Sequence, residues 1–284
     1  MSQRNSQQAK ATARERLRAE REAQAKKDAR KRQFLVAGGV VAVLAIGAGI
    51  AVAVAQGNKP SQWESAKSDT LVKPKNTSGA NGTTVVIGKD SAKKTLTLFE
   101  DPRCPICSQF EQTVGPDVHA DLDAGKFKIE YVGATFLDGD SGSGSKIDLG
   151  SRGSGSKNAM SALGAALNVS PDAFLDYKTA MYQKKWHPDE TDDKFNSDAY
   201  LLKIAATVPA LKDNATFEKQ VKDGTYDRWA IEMSKNFNKQ SDKYGVTGTP
   251  SMVMDGKKVV GSDGQNAPMT VQDYKTAIDA ALKG

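Results

Sequence analysis

Cys104 and Cys107 are the only cysteines in a chain of 284 residues, with Pro105 and Ile106 between them. A structural disulfide normally ties distant segments together, and a bridge across three residues would restrict the unfolded chain very little. A metal centre needs about four ligands, and no further cysteine is present to complete one, so no metal site is expected. The chemistry left to this spacing is thiol–disulfide exchange, in which one thiolate attacks and the other resolves. The remaining candidates are weaker. His119 and His187 lie far apart and read as surface or helix-end residues. No GxxxxGK[ST] phosphate loop and no Ser/His/Asp arrangement can be identified, and no cofactor is expected.

The elements that must position the cysteines can be read around them. Residues 83–87 and 95–100 are β-branched or alternating runs, predicted as strands. Pro102 ends the second. Pro105 suits the first turn of a helix over 105–114, where its missing N–H is not needed. Gly115-Pro116 interrupts that helix before a second segment over 116–124, and 126–137 reads as a long strand. Residues 138–157 are Gly/Ser-rich, with GSGSK at 142–146 and again at 153–157, and predict a mobile loop. Ser156 is expected to cap a helix over 157–167. Further helices over 171–184, 197–208, 215–223 and 226–244 complete a helical block, with acidic residues 190–193 as a solvated approach. After GVTGTP at 245–250 come strands 251–254 and 257–260, joined by an Asp255-Gly256 turn. A final helix over 270–282 carries Val271, Tyr274, Ile278 and Leu282 on one face.

Charge and hydropathy set the compartment. Residues 1–33 hold 11 Lys/Arg against 4 Asp/Glu, whereas the other 251 residues hold 29 against 30. The overall charge of +6 therefore belongs to the tail, and no nucleic-acid partner is expected. Residues 34–55 form an apolar run of 22 residues, long enough as a helix to span a hydrocarbon core of roughly 30 Å. Arg30, Lys31 and Arg32 abut its start, so the N-terminus is expected in the cytoplasm and the rest outside. A cleaved signal peptide is the competing reading, because Ala53-Val54-Ala55 fits a small-x-small site; the length of the run and of the region before it favours an anchor. Either way the cysteines lie where disulfides persist. The expected organisation is a cytoplasmic tail (1–33), a single transmembrane helix (34–55), a linker (56–82) and one domain (83–284), with a helical insertion over about 157–244.

Two motifs in this order carry a resemblance: FEDPRCPIC at 99–107 followed by Phe110, and VTGTPS at 246–251. Over residues 83–284 the chain resembles the thioredoxin superfamily. More narrowly it is similar to the DsbA-like branch, in its membrane-anchored actinobacterial form. The resemblance implies an α/β thioredoxin-like fold with an inserted helical domain. It also implies that Pro250 is a cis-proline lying against the cysteines, and that Thr249 offers its backbone to an extended substrate. Two departures stand out. The buried acid that many relatives keep six residues before the first cysteine is replaced by Leu98, with Glu100 and Asp101 nearby. The dipeptide is Pro-Ile in place of Pro-His, which removes one source of thiolate stabilisation and implies a milder oxidant.

On this reading Cys104, at a helix N-terminus, is the attacking thiolate, with an acidity above that of a free thiol. Cys107, one turn deeper, resolves the mixed disulfide. Pro105 stiffens the turn and Ile106 offers an apolar face. The expected activity is oxidation of exported proteins that contain cysteines, by a monomeric domain. A membrane redox partner, a quinone-linked oxidase or another electron carrier, would restore the disulfide. The alternatives are a reductant or isomerase fed by a membrane electron carrier, or a non-catalytic chaperone or Cu(I) metallochaperone.

Overall fold

The computed structural model describes residues 61–139 and 153–284. The basic tail, the apolar run 34–55 and most of the Gly/Ser-rich segment lie outside the described residues. No described helix is long and apolar enough to cross a membrane.

A five-stranded mixed sheet organises the fold: β1 (Val85–Ile87), β2 (Thr95–Glu100), β3 (Lys128–Gly133), β4 (Ser251–Met254) and β5 (Lys257–Lys258), in the order β1-β3-β2-β4-β5. β2 pairs parallel with β3 and antiparallel with β4, so it is the central strand. Five of its six residues are buried, as expected for a strand covered on both faces. Alternation sorts those residues between two apolar clusters. Leu96 and Leu98 join Phe110, Val114, Ile129 and Met252 on one face. Phe99 joins Val132, Val253, Phe237 and both cysteines on the other.

A short helix, α1 (Gln62–Ala66), precedes the sheet, and the parallel β2–β3 connection runs through α2 (Pro105–Thr113) and α3 (Gly115–Asp123). The helical block comprises α4 (Gly155–Val169), α5 (Pro171–Tyr182), α6 (Asp198–Ala205), α7 (Ala215–Lys222) and α8 (Asp227–Tyr244); α9 (Val271–Lys283) closes the chain.

Three expectations need correction. The strand over 126–137 ends at Gly133, and a 3₁₀ turn follows over Phe136–Asp138. A Cβ at Gly133 would lie 2.1 Å from Met160 Cε, so a side chain there would force the Met160 thioether of α4 to move. Ser156 is not the cap of α4. It sits inside the first turn, and the orphan donors there are taken by carboxylates from elsewhere in the chain. Asp193 accepts from Ser154 N and Gly155 N, and Asp138 from Ser156 N and Lys157 N, at 2.8–3.0 Å. Residues 190–193 are therefore not simply a solvated approach. Finally, residues 61–82 are packed against the domain and do not form a free linker. Trp63 and Ala66 are buried in the core. Gln62 donates to Asp227, Asn76 to Leu167 O, and Trp229 Nε1 to Gly82 O, each at 2.7 Å. The buried indole N–H needs such a partner, and this segment supplies it.

Candidate active site

The site begins where β2 ends. Pro102 cannot continue the ladder, and the Asp101 carbonyl accepts Cys104 N at 2.9 Å, closing a tight turn. Pro105 then opens α2, with Cys104 as its N-cap. The Cys104 sulfur accepts the Cys107 N–H at 3.2 Å, which satisfies one of the helix's orphan donors. Its S–H lies 3.5 Å from the Thr249 carbonyl oxygen.

These contacts separate the two thiols. Cys104 is lowered to about 7, first by the hydrogen bond from the Cys107 thiol, against the opposing effect of burial, and then by Thr249 and the N–H groups of Cys107 and Ile106. Cys107 is pushed well above the ordinary thiol range, by burial and then by Cys104. Exposure runs the same way: Cys104 is 5% exposed and Cys107 0%. Both are present as free thiols.

The second motif comes to the same place. The Thr249–Pro250 peptide is cis, and Pro250 is buried at the head of β4, which pairs with the end of β2. A groove of about 600 Å³ runs from Ile106 and Gln109 past Thr249 to Lys258, Asp263 and Asn266. Ile106 is 51% exposed at its edge. All six residues expected at the site, Cys104, Pro105, Ile106, Cys107, Thr249 and Pro250, thus belong to one turn and the loop facing it.

Two buried charge clusters flank this turn, and neither was legible as a site in the sequence. The first holds Glu100, Glu111 and Lys178. The Lys178 ammonium lies 2.6 Å from Glu111 and 3.1 Å from Glu100, with all three side chains at most 2% exposed. Glu100 is raised well above the carboxylate range by burial and by the Glu111 charge, which together outweigh Lys178. Glu111 is lowered: burial opposes its charge, but Lys178 prevails. The cluster is thus an ion pair with a second carboxyl beside it whose ionised form is disfavoured, and a charge on that carboxyl raises Cys107 further. One Glu100 oxygen is buried without a hydrogen-bond partner. Glu100 is two residues beyond Leu98 on β2, hence on the same face. The acid absent from position 98 has a counterpart one pleat further along.

The second cluster lies beside Cys104. The Arg103 guanidinium, 1% exposed, reaches Asp138 at 2.9 Å, Asp193 at 3.1 Å and the Glu190 carbonyl at 2.9 Å. Asp101 accepts Arg103 N, Ser156 Oγ and Leu137 N at 2.7–3.2 Å, and burial followed by the Asp138 charge raises it to about 7. His187, half-buried, stacks on Tyr182 and lies 3.1 Å from the Pro102 carbonyl. Burial lowers it to about 4, so it is neutral near pH 7 and packs as part of the wall. His119 is lowered by burial as well. Among the described residues, no cluster of His, Cys, Asp and Glu could hold a metal ion.

Comparison with known proteins bears on this arrangement. Residues 80–280 match the sequence model of a family described as thioredoxin. Disulfide bond formation protein D of Bacillus subtilis is 25% identical over 203 residues, covering 70% of this chain and 77% of that protein. The oxidised BdbD structure from the same organism superposes with a TM-score of 0.54 at 21% identity, covering 75% of this chain and all of that one. MdbA, a thiol–disulfide oxidoreductase from Corynebacterium diphtheriae, also gives 0.54, at 15% identity, with 78% of this chain and all of that one covered. At these identities the superpositions speak to the fold alone. The family model spans well over half of the sequence and takes in both the reactive turn and the cis-proline loop, and on that ground the chain belongs to the thioredoxin family.

Proposed function

We propose that this thiol–disulfide oxidoreductase works outside the cytoplasmic membrane and oxidises cysteine pairs in exported proteins. The observation that carries the reading is the divergence of two thiols one turn apart, an acidic Cys104 over the α2 N-terminus and a buried, weakly acidic Cys107. A Cys104 thiolate favoured in this way stabilises the reduced form and makes the disulfide the stronger oxidant. The names of two Bacillus relatives, a disulfide bond formation protein and a probable one, support the same direction. The apolar run 34–55 and the basic residues before it support a membrane anchor and an outward-facing domain.

In the proposed cycle a substrate thiolate attacks the Cys104 sulfur of the Cys104–Cys107 disulfide. The S–S bond breaks and its electron pair leaves on Cys107. That thiolate is costly in a buried site, and the Glu100 carboxyl, whose proton burial holds, supplies it. The second substrate thiolate then attacks the substrate sulfur of the mixed disulfide, and Cys104 departs as a stable thiolate. Two electrons have passed from substrate to enzyme, and a membrane redox partner removes them. Thr249 offers backbone groups beside the sulfurs for a short strand pairing with the substrate, and the Ile106 side chain gives it an apolar rim.

The test is a redox titration of the full-length protein in glutathione buffers, read by alkylation of Cys104. The expected midpoint lies between about −120 and −220 mV, the range of oxidants and glutaredoxins. A value near about −270 mV, where thioredoxin lies, would make the protein a reductant. Replacing Cys107 with Ser should trap mixed disulfides through Cys104, whereas a non-catalytic chaperone would bind its clients unchanged.

A further inference from the structure

We propose that Arg103 is a positioning residue for Cys104: by fastening the turn before the cysteine to the helical block, it holds the sulfur over the first turn of α2. The proposal rests on the reading of Cys104 as the attacking thiolate. It concerns a residue that exchange chemistry itself does not need. An arginine preceding a reactive cysteine could be expected to face the sulfur or solvent. Here its side chain runs inward and is 1% exposed.

The geometry leaves Arg103 no freedom at either end. Its backbone N–H is held by the Asp101 carboxylate at 3.0 Å. Its guanidinium is held by Asp138 at the end of the 3₁₀ turn, and by Asp193 and the Glu190 carbonyl in the segment before α6. The two carboxylates are themselves fixed, because both cap α4 through the N–H groups of residues 154–157. The neighbours of Arg103 are tied to the same body. Tyr182 Oη donates to the Asp101 carbonyl at 3.0 Å, and the His187 ring meets the Pro102 carbonyl. The peptide linking Arg103 to Cys104 therefore takes its orientation from the helical block.

That orientation matters because the dipeptide supplies little. Pro105 has no N–H, and Ile106 has no side-chain donor. The backbone contacts of Cys104, the Cys107 N–H at 3.2 Å and the Thr249 carbonyl at 3.5 Å, depend on where the turn aims the side chain. A planar fork that reaches three acceptors on two segments is a task for arginine, and lysine could not reproduce it.

The experiment measures the titration of Cys104 in full-length protein, as the pH dependence of its alkylation mapped by mass spectrometry, in wild type, Arg103→Gln and Asp193→Asn. The expected result for Arg103→Gln is a rise of about one unit, which slows alkylation at pH 7 about fivefold. Asp193→Asn removes one arm and should slow it about twofold. Asn76→Ala, which loosens the packing of residues 61–82 far from the turn, should leave Cys104 unchanged even if the protein melts earlier. Folded variants in which Cys104 titrates as in wild type would overturn the proposal and leave Arg103 a purely structural residue. If Arg103→Gln does not fold, Asp193→Asn decides the matter alone, because Asp193 is partly exposed and an amide oxygen can still accept from Ser154 N or Gly155 N. Turnover of a dithiol peptide by wild type is followed in parallel. Its absence would count against the exchange activity, while the titrations still decide the role of Arg103.

Discussion

The two buried charge clusters beside the reactive turn differ in how completely their carboxyl groups are satisfied. Beside Cys104, Asp138 meets Arg103 and two backbone donors of α4, and Asp101 meets three donors. Beneath Cys107, one lysine serves two glutamates, and an oxygen of Glu100 has no hydrogen-bond partner. Carboxylates held by several donors resist rearrangement, whereas one short of donors has its proton held more tightly. The difference suggests a division of labour, with the Arg103 side holding geometry and the Glu100 side handling protons.

Lys178→Met should give the largest effect. It leaves two buried carboxyls with no cation and should cost about 3–5 kcal/mol in urea denaturation at pH 7. The loss should shrink toward pH 5. Without Lys178 the Glu111 carboxyl has a raised value in the folded state, and a raised acid loses its contribution as pH rises. If the variant were equally destabilised at both pH values, the proton-handling account of this cluster would fail.

A pH series on the reduced protein sharpens the contrast. Asp101 is raised to about 7, so its contribution is full below about pH 4 and fades as pH climbs through 7; Asp138 and Glu100 act in the same direction. Cys104 is depressed to about 7. Its contribution is full above the unfolded value of about 8.5 and fades as pH falls through 7. Between pH 7 and 9, reduced wild type should therefore gain about 1.5 kcal/mol relative to Cys104→Ala. Parallel stability curves would contradict the lowered acidity of Cys104.

Glu100→Gln should have the smallest effect on stability, within about 1 kcal/mol, because an amide of the same shape replaces a carboxyl whose ionised form burial disfavours. Its effect should appear in stopped-flow kinetics as slower mixed-disulfide formation near pH 7, by about tenfold. An unchanged rate would remove Glu100 from the cycle.

Much of this site could be read from the chain. The cysteine spacing and the proline at the helix start depend on local chemistry, the role of the Thr-Pro loop came only from the resemblance, and the order of strands and helices followed from periodicity. The charge clusters depend on partners 35 to 90 residues away, and local patterns carry no such information. Two signals were nonetheless present. Glu111 falls on the buried stripe Cys107, Phe110, Glu111, Val114, and Lys178 on the stripe Phe174, Tyr177, Lys178, Met181. A charge at a core position of a 3.6-residue pattern is a request for a buried partner. Arg103, Asp138 and Asp193 gave no comparable signal, since each lies in a turn with no period to violate.

The way α4 begins has a consequence for how such a protein could arise or be re-engineered. Its opening turn is completed by Asp138 from the far end of β3 and by Asp193 from downstream, not by its own preceding serine. The helical block is therefore no cassette. Transplanted onto another sheet, it would arrive with its most completely buried helix unfinished, and the recipient would have to furnish an aspartate just beyond the corresponding strand.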